Sequence, residues 1–326
     1  MSNTWDYRFA FPVERRHDVP GEFRGADDRL VGTCGLPMFG LFSPATEDPG
    51  FIFSHWLPPK LILIFSESLA LLSLNPRSDQ SQIFELSCLD LLCYSLGEFL
   101  LKCWFTLYPG TSADGGLQIR FPSRASPHYV ELSRILLNWS ERGGDAVENS
   151  LQASRAIPGL PPKFSSFLES HAGFGPVSEL FFQPAPELRK ERDERWANIL
   201  LLMTRDSIVA LTDQYRGECS QYGIEMTHLP LRRVRSAGWT EPHDGRQPAI
   251  TVCLQGARTE QRLSWAAYSG LKPYARRWVD AVESAVKAFR REYSHPEEPI
   301  EQRGHHSSPC TCLLGGTGDH GYSGSD

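Results

Sequence analysis

The 326-residue chain contains no stretch of about twenty uninterrupted apolar residues, the length a membrane-spanning helix requires. Its two longest apolar runs, Leu61 to Leu74 and Leu86 to Leu107, are broken by Glu67 in the first and by Asp90, Glu98 and Lys102 in the second. Secretion through a signal peptide is not expected either. Where a basic segment and an apolar segment would stand, Trp5, Tyr7, Phe9 and Phe11 alternate with Asp6, Arg8 and Ala10, which is a strand-like pattern. Charge of one sign is not in large excess. Against 33 Lys and Arg stand 39 Asp and Glu, a net charge of −6, which argues against a surface that grips nucleic acid or anionic lipid over its whole extent.

Catalytic signatures are absent too. The body has no Cys-x-x-Cys, no His-x-x-x-His and no His-Glu-x-x-His spacing that would set two metal ligands on one helix face. His17, His55, His128, His171, His228 and His243 are scattered. No Walker loop occurs, and Ser323, within Gly321-Tyr322-Ser323-Gly324, is not a nucleophile elbow. Gly316 to Gly321 spells G-x-G-x-x-G, but nothing strand-like precedes it and no helix can follow it, so it is not a dinucleotide fingerprint. His305, His306, Cys310, Cys312 and His320 offer soft ligands in the same tail without a folded frame to hold them. Neither a metal, a cofactor nor a catalytic residue is expected.

Eight cysteines are present. Cys88, Cys93, Cys103 and Cys253 lie inside apolar runs, where a free thiol acts as a small hydrophobe. Together with the expectation of no signal peptide, this points to a reducing compartment and a cytoplasmic protein.

What is present is a hydrophobic content of 40%, enough for a sizeable core, arranged in two blocks. Gly and Pro crowd Arg142 to Pro162, which reads as a linker over 141–165, and the chain after Tyr293 loses apolar periodicity and reads as a disordered tail over 293–326. The blocks are then 51–140 and 166–292, with 1–50 an N-terminal segment able to complete the first sheet. They look like copies of one unit. Ser68-Leu69-Ala70-Leu71-Leu72-Ser73 lies 139 positions before Ser207-Ile208-Val209-Ala210-Leu211-Thr212. The same offset aligns Tyr129 with Tyr268, Leu132 with Leu271 and Trp139 with Trp278. Leu86 to Leu89 pairs with Leu229 to Arg232, and Leu117 to Phe121 with Ala249 to Cys253.

Each block reads strands first and helix last. Ile199 to Met203 is a strand, Thr204-Arg205-Asp206 a turn, Ser207 to Leu211 a second strand, and Met226 to Val234 a third with a bulge at Arg232-Arg233. Ile250, Val252 and Leu254 alternate as a half-buried strand should. Leu271, Tyr274, Trp278, Val282, Ala285 and Phe289 share one helical face by spacing, as do Tyr129, Leu132, Leu136 and Trp139. Antiparallel strands followed by one amphipathic helix make an α+β fold.

The segment from Asn198 to Thr212, with Tyr222-Gly223 and Leu229-Pro230-Leu231-Arg232-Arg233-Val234-Arg235-Ser236, resembles the bacterial pleckstrin-homology-like (PH-like or GRAM-like) pattern. In that pattern a leucine-rich strand, a Thr-Arg turn and a second strand precede Ile-Pro-Leu, basic residues and a final helix. Ser178-Glu179-Leu180-Phe181-Phe182 resembles its opening. The likeness covers the second block and, through the repeat, extends to the first, which carries Leu89, Asp90 and Leu91 where Arg232, Arg233 and Val234 stand. It implies two tandem PH-like domains, each a small antiparallel sandwich or open barrel closed by a C-terminal helix, serving to bind proteins, peptides or membrane surfaces.

Arg232, Arg233 and Arg235 are the densest basic cluster of the body. On a strand, Arg233 and Arg235 would share a face and could hold phosphate bidentately; the plain alternative is a solvated face paired with carboxylates. Trp239 beside Arg235 could stack on a base, with core packing as the simpler role. Arg276, Arg277, Arg290 and Arg291 fall on the polar face and the C-terminal end of the last helix, and alternation turns Glu67, Asp90 and Glu98 outward. The expectation is a non-catalytic intracellular interaction or scaffold module with a protein or peptide partner and no nucleic acid. Two alternatives stand beside it: a peripheral binder of anionic lipid through Arg232, Arg233 and Arg235, and an enzyme without a recognised motif.

Overall fold

The computed structural model describes residues 9–49, 54–74, 81–99, 102–110, 116–140, 160–170, 176–185, 197–214, 223–241, 247–256 and 259–294. Their order is β1 (Phe11–Pro12), α1 (Arg24–Cys34), β2 (Phe39–Ser43), β3 (Thr46–Pro49), β4 (Ser54–Leu57), β5 (Lys60–Ile64), β6 (Ser68–Leu74), β7 (Ser81–Ser87), β8 (Leu91–Phe99), β9 (Lys102–Pro109), β10 (Leu117–Pro122) and α2 (Ser126–Ser140). There follow α3 (Pro162–Ser170), β11 (Glu179–Gln183), β12 (Ile199–Met203), β13 (Ser207–Gln214), β14 (Gly223–Pro230), β15 (Val234–Thr240), β16 (Ala249–Gln255), β17 (Glu260–Ala266) and α4 (Lys272–Ser294). The fold is α+β with antiparallel sheets, and no helix among the described residues is long and apolar enough to cross a membrane.

The order of elements repeats. A helix leads into four antiparallel strands (β2, β5, β6, β7, then β11 to β14), three more (β8 to β10, then β15 to β17) and a closing helix. Registers repeat with it: Leu69 faces Leu86 as Ile208 faces Leu229. So do turn hydrogen bonds. Phe65 N–H donates to Ser68 C=O at 2.8 Å and Thr204 N–H to Ser207 C=O at 2.9 Å; Cys88 N–H donates to Glu67 C=O at 2.9 Å and Leu231 N–H to Asp206 C=O at 2.8 Å.

The structure corrects two of the expected pairings. Leu117 to Phe121 lies on β10, the third strand of its sheet, whose counterpart is β17; Ala249 to Cys253 lies on β16, the counterpart of β9. Both strands alternate, and a two-residue period cannot tell neighbours apart. The helices also shift. Tyr129 is buried on α2, whereas Tyr268 and Leu271 precede α4, with Leu271 in a 3₁₀ turn. The offset of 139 holds for β5 and β6 against β12 and β13, has grown to 143 by β8 against β15, and a longer connection before α4 lengthens it again. The buried face of α4 is Ala275, Trp278, Val279, Val282 and Val286, and Tyr274 is 68% exposed. The side chain of Trp139 lies outside the described residues.

The segment boundaries differ as well. Pro162 opens α3, a position where the missing N–H of proline costs nothing. Phe164, Phe167 and Leu168, spaced by three and four, pack from it into the central core. The expected boundary at 165 falls inside this helix. The N-terminal segment supplies α1, β2 and, through β1 against β2, an edge of the first sheet. Trp5, Tyr7 and the tail after Ser294 lie outside the described residues.

The apolar strands bury both faces. Leu61, Leu63, Ala70 and Leu72 pack under Phe23 and Leu30 of the N-terminal segment, while Ile62, Ile64, Leu69 and Leu71 face the central core. Their counterparts do likewise: Leu200, Leu202, Val209 and Leu211 face the central core with α3, and Leu201, Met203, Ile208 and Ala210 face Trp278 of α4. Two-sided burial explains why these strands read as unbroken apolar runs.

The halves join edge to edge. β14 adds antiparallel to β8, from Gly223 opposite Phe99 to His228 opposite Tyr94, making one sheet in the order β10-β9-β8-β14-β13-β12-β11. Gly110 and Gly256, which end the equivalent strands β9 and β16, meet back to back. A Cβ on Gly256 would stand 2.6 Å from the Cα of Gly110. Gly256→Ala should therefore cost about 2 kcal/mol by overpacking. Gly238→Ala, which meets nothing within 4 Å, should change stability by less than about 0.5 kcal/mol. Denaturant unfolding of the two variants checks the contrast.

Candidate functional site

Arg232 and Arg233 are not on a strand. β14 ends at Pro230, Leu231–Arg233 form one turn of 3₁₀ helix, and β15 begins at Val234. This turn carries the chain from one sheet to the next, so Arg233 and Arg235 do not share a strand face. Arg232 Nη2 donates to the carbonyl of Cys88 at 3.4 Å, across the junction to the first half. Arg233 is half-buried, and desolvation, followed by the neighbouring Arg232 charge, lowers its pKa against the opposing pull of Asp90 and Cys88. Arg235 is exposed and ion-paired with Glu260. Two of the three arginines thus face the seam, and the third has a carboxylate partner.

A cleft of about 710 Å³ opens above the seam, between α2 and α3. Val130 and Arg134 of α2 face Lys163, Ser166 and Phe167 of α3 across a floor of Glu98 and Ile224, which are register partners on β8 and β14. Its cations have partners. Lys163 Nζ lies 2.5 Å from Asp213, which is 4% exposed along its side chain, and Asn198 Nδ2 donates to the same carboxylate at 2.6 Å. Arg134 pairs with Glu131 at 3.3 Å and donates to the carbonyl of Ser170 at 3.4 Å. Glu98, expected to point into solvent, instead lies partly buried on this floor, where desolvation raises its pKa. Glu67 is exposed as expected.

The sheet edges form the third candidate. β15 runs beside α4, and side chains of that helix meet its main-chain groups: Ala237 N–H donates to Glu283 Oε1 at 2.6 Å, and Arg290 Nη2 donates to the carbonyls of Val234 and Arg235, each at 3.2 Å. Arg290 therefore caps the strand as well as closing its helix. Arg276 and Arg277 lie on the exposed face, against Glu241 and Glu179. The equivalent edge of the first half, on β8, holds β14. There Tyr94 stacks on His228 at 5.0 Å and donates from its hydroxyl to the carbonyl of Ser133 at 3.0 Å. At the end of the first sheet, β7 is bonded to β6 on one side and has no ladder partner on the other among the described residues.

Sequence reasoning did not find Lys163, Arg134 or Glu283. The one available signal was the spacing of Phe164, Phe167 and Leu168, which marks a helix inside the supposed linker. Among the described residues no three His, Cys, Asp or Glu side chains are grouped to hold a metal ion, and Cys34, Cys88, Cys93, Cys103 and Cys253 are free thiols. No protein-family model matches the chain, and no curated protein matches it.

Two outcomes follow. Lys163→Met leaves a buried carboxylate without its cation and should cost about 3 kcal/mol in denaturant unfolding. Glu98 binds its proton more tightly folded than unfolded, so its contribution to stability falls as pH rises from the ordinary carboxylate range through its raised folded-state value. Glu98→Gln should remove that fall, leaving the variant more stable than the wild type at neutral pH relative to acid, as read from unfolding midpoints against pH.

Proposed function

We propose that this chain is a non-catalytic interaction module of two tandem PH-like units, which binds a protein partner by taking up an extended segment at a sheet edge. One observation carries the reading. Where the first unit presents the edge beside its closing helix, it has captured a strand, β14, over six register pairs from Gly223–Phe99 to His228–Tyr94. An edge of this kind gives affinity through main-chain hydrogen bonds and specificity through alternate side chains. The committed state of Lys163, Arg134 and Arg235, each in an ion pair, favours this reading over chemistry in the cleft or an anion site at the turn.

The test is retention by the immobilised full chain at low and moderate salt, offering lysate of the source cell in one arm and vesicles rich in anionic lipid in the other. The reading predicts a stoichiometric protein that survives moderate salt and slows amide exchange along a sheet edge. Vesicle binding that salt abolishes, and that Arg235→Ala weakens, with no protein retained, would contradict it.

A further inference from the structure

We infer that β7 is the docking edge, and that its occupant is an extended, antiparallel segment of a partner protein with a basic residue two positions before a large apolar one. This rests on the interaction-module reading and adds the site and the chemistry of its ligand. β7 is the counterpart of β14: each is the fourth strand of its unit and pairs in the same register with the strand before it. The outer edge of β14 is filled by β8, and that of β7 has no ladder partner among the described residues.

The main chain of β7 can be oriented from its neighbours. Cys88 N–H bonds to Glu67 C=O, and antiparallel bonding alternates along a strand. Leu86 and Phe84 therefore turn their N–H and C=O groups toward β6, while Ile83 and Glu85 turn theirs outward. On β14 the bond from Leu231 N–H to Asp206 C=O sets the same alternation, with Met226 and His228 directed at β8. The equivalences are then Ile83 with Met226 and Glu85 with His228. Since Leu96 lies opposite Met226 and Tyr94 opposite His228, β8 is an internal template for the missing ligand.

Two features adapt that template to β7. Ile83 is partly buried against the N-terminal core and asks for an apolar side chain opposite, as Leu96 is to Met226. Glu85 is exposed where His228 is fully buried and stacked on Tyr94. With exposed Glu67 on the adjoining turn, it favours a cation at the position of Tyr94. β7 also carries no proline or lysine that would discourage strand addition.

The experiment uses the full chain and a labelled peptide of residues 91–99 carrying Cys93→Ser and Tyr94→Lys, with binding followed by fluorescence anisotropy and by amide chemical shifts. Glu85→Ala keeps the outward N–H, and Glu85→Pro removes it without touching the bonds to β6. Glu85→Ala should stay within about threefold of the wild type, whereas Glu85→Pro should lose about tenfold or more, as expected for a lost ladder bond and a ring in the partner's path. The wild-type shifts should fall on β7, and unchanged unfolding midpoints in both variants would show that folding is intact. Equal affinity of Glu85→Pro and wild type, or no binding of the peptide, would overturn the assignment. Shifts confined to β15 and α4 would overturn it too, while leaving the strand-addition reading standing. That reading falls separately, on the retention experiment.

Discussion

The antiparallel ladder between β8 and β14 is the contact on which the rest of the molecule depends. It fuses three strands of the first unit with four of the second, so neither half ends in an edge at that point. The same pairing places Glu98 beside Ile224 and so forms the floor of the cleft. It also fixes where α3 must lie. With β12 and β13 carried onto the first half, Leu200, Leu202, Val209 and Leu211 need a cover, and Phe164, Phe167 and Leu168 supply part of it.

Equivalent parts of the two units meet at this junction. Gly110 touches Gly256, and the turn holding Arg232 bonds to the turn holding Cys88. Contacts between matching positions are the mark of an isologous interface, here built within a single chain. The match is incomplete in an informative way. Exchange of the two halves carries β8 and β14 onto β15 and β7, yet β15 is held by Glu283 and Arg290 of α4. One strand capture is thus realised, and its counterpart on β7 is left with its main-chain groups directed outward.

The strands were legible where an offset in sequence coincided with one in structure. Ser68 to Ser73 and Ser207 to Thr212 form β6 and β13, each paired in the same register with the strand before it and the strand after it, and the α+β class followed from them. The helices were less legible because spacing cannot separate adjacent faces: Tyr274 fits the apolar periodicity yet is exposed, while Ala275 and Val279 take the buried face. α3 was hidden by the prolines and glycines around it. The arginine cluster misled for a different reason. Three arginines within four positions suggest a common face, but the 3₁₀ turn after Pro230 leaves Arg232 and Arg233 at the seam and sends Arg235 to Glu260. No local pattern states that Arg232 reaches Cys88, since that contact exists only once the seam has formed.

Residue-resolved amide hydrogen exchange on the full chain tests the equivalence of β14 and β7 most directly. The seam protects the outward amides of Met226 and His228, so both should exchange only through global unfolding. Ile83 and Glu85, at the matching positions of β7, should exchange near the rate of an exposed strand. Protection of Ile83 and Glu85 as deep as that of Met226 and His228, or fast exchange at all four, would contradict the account of one filled edge and one with no ladder partner among the described residues.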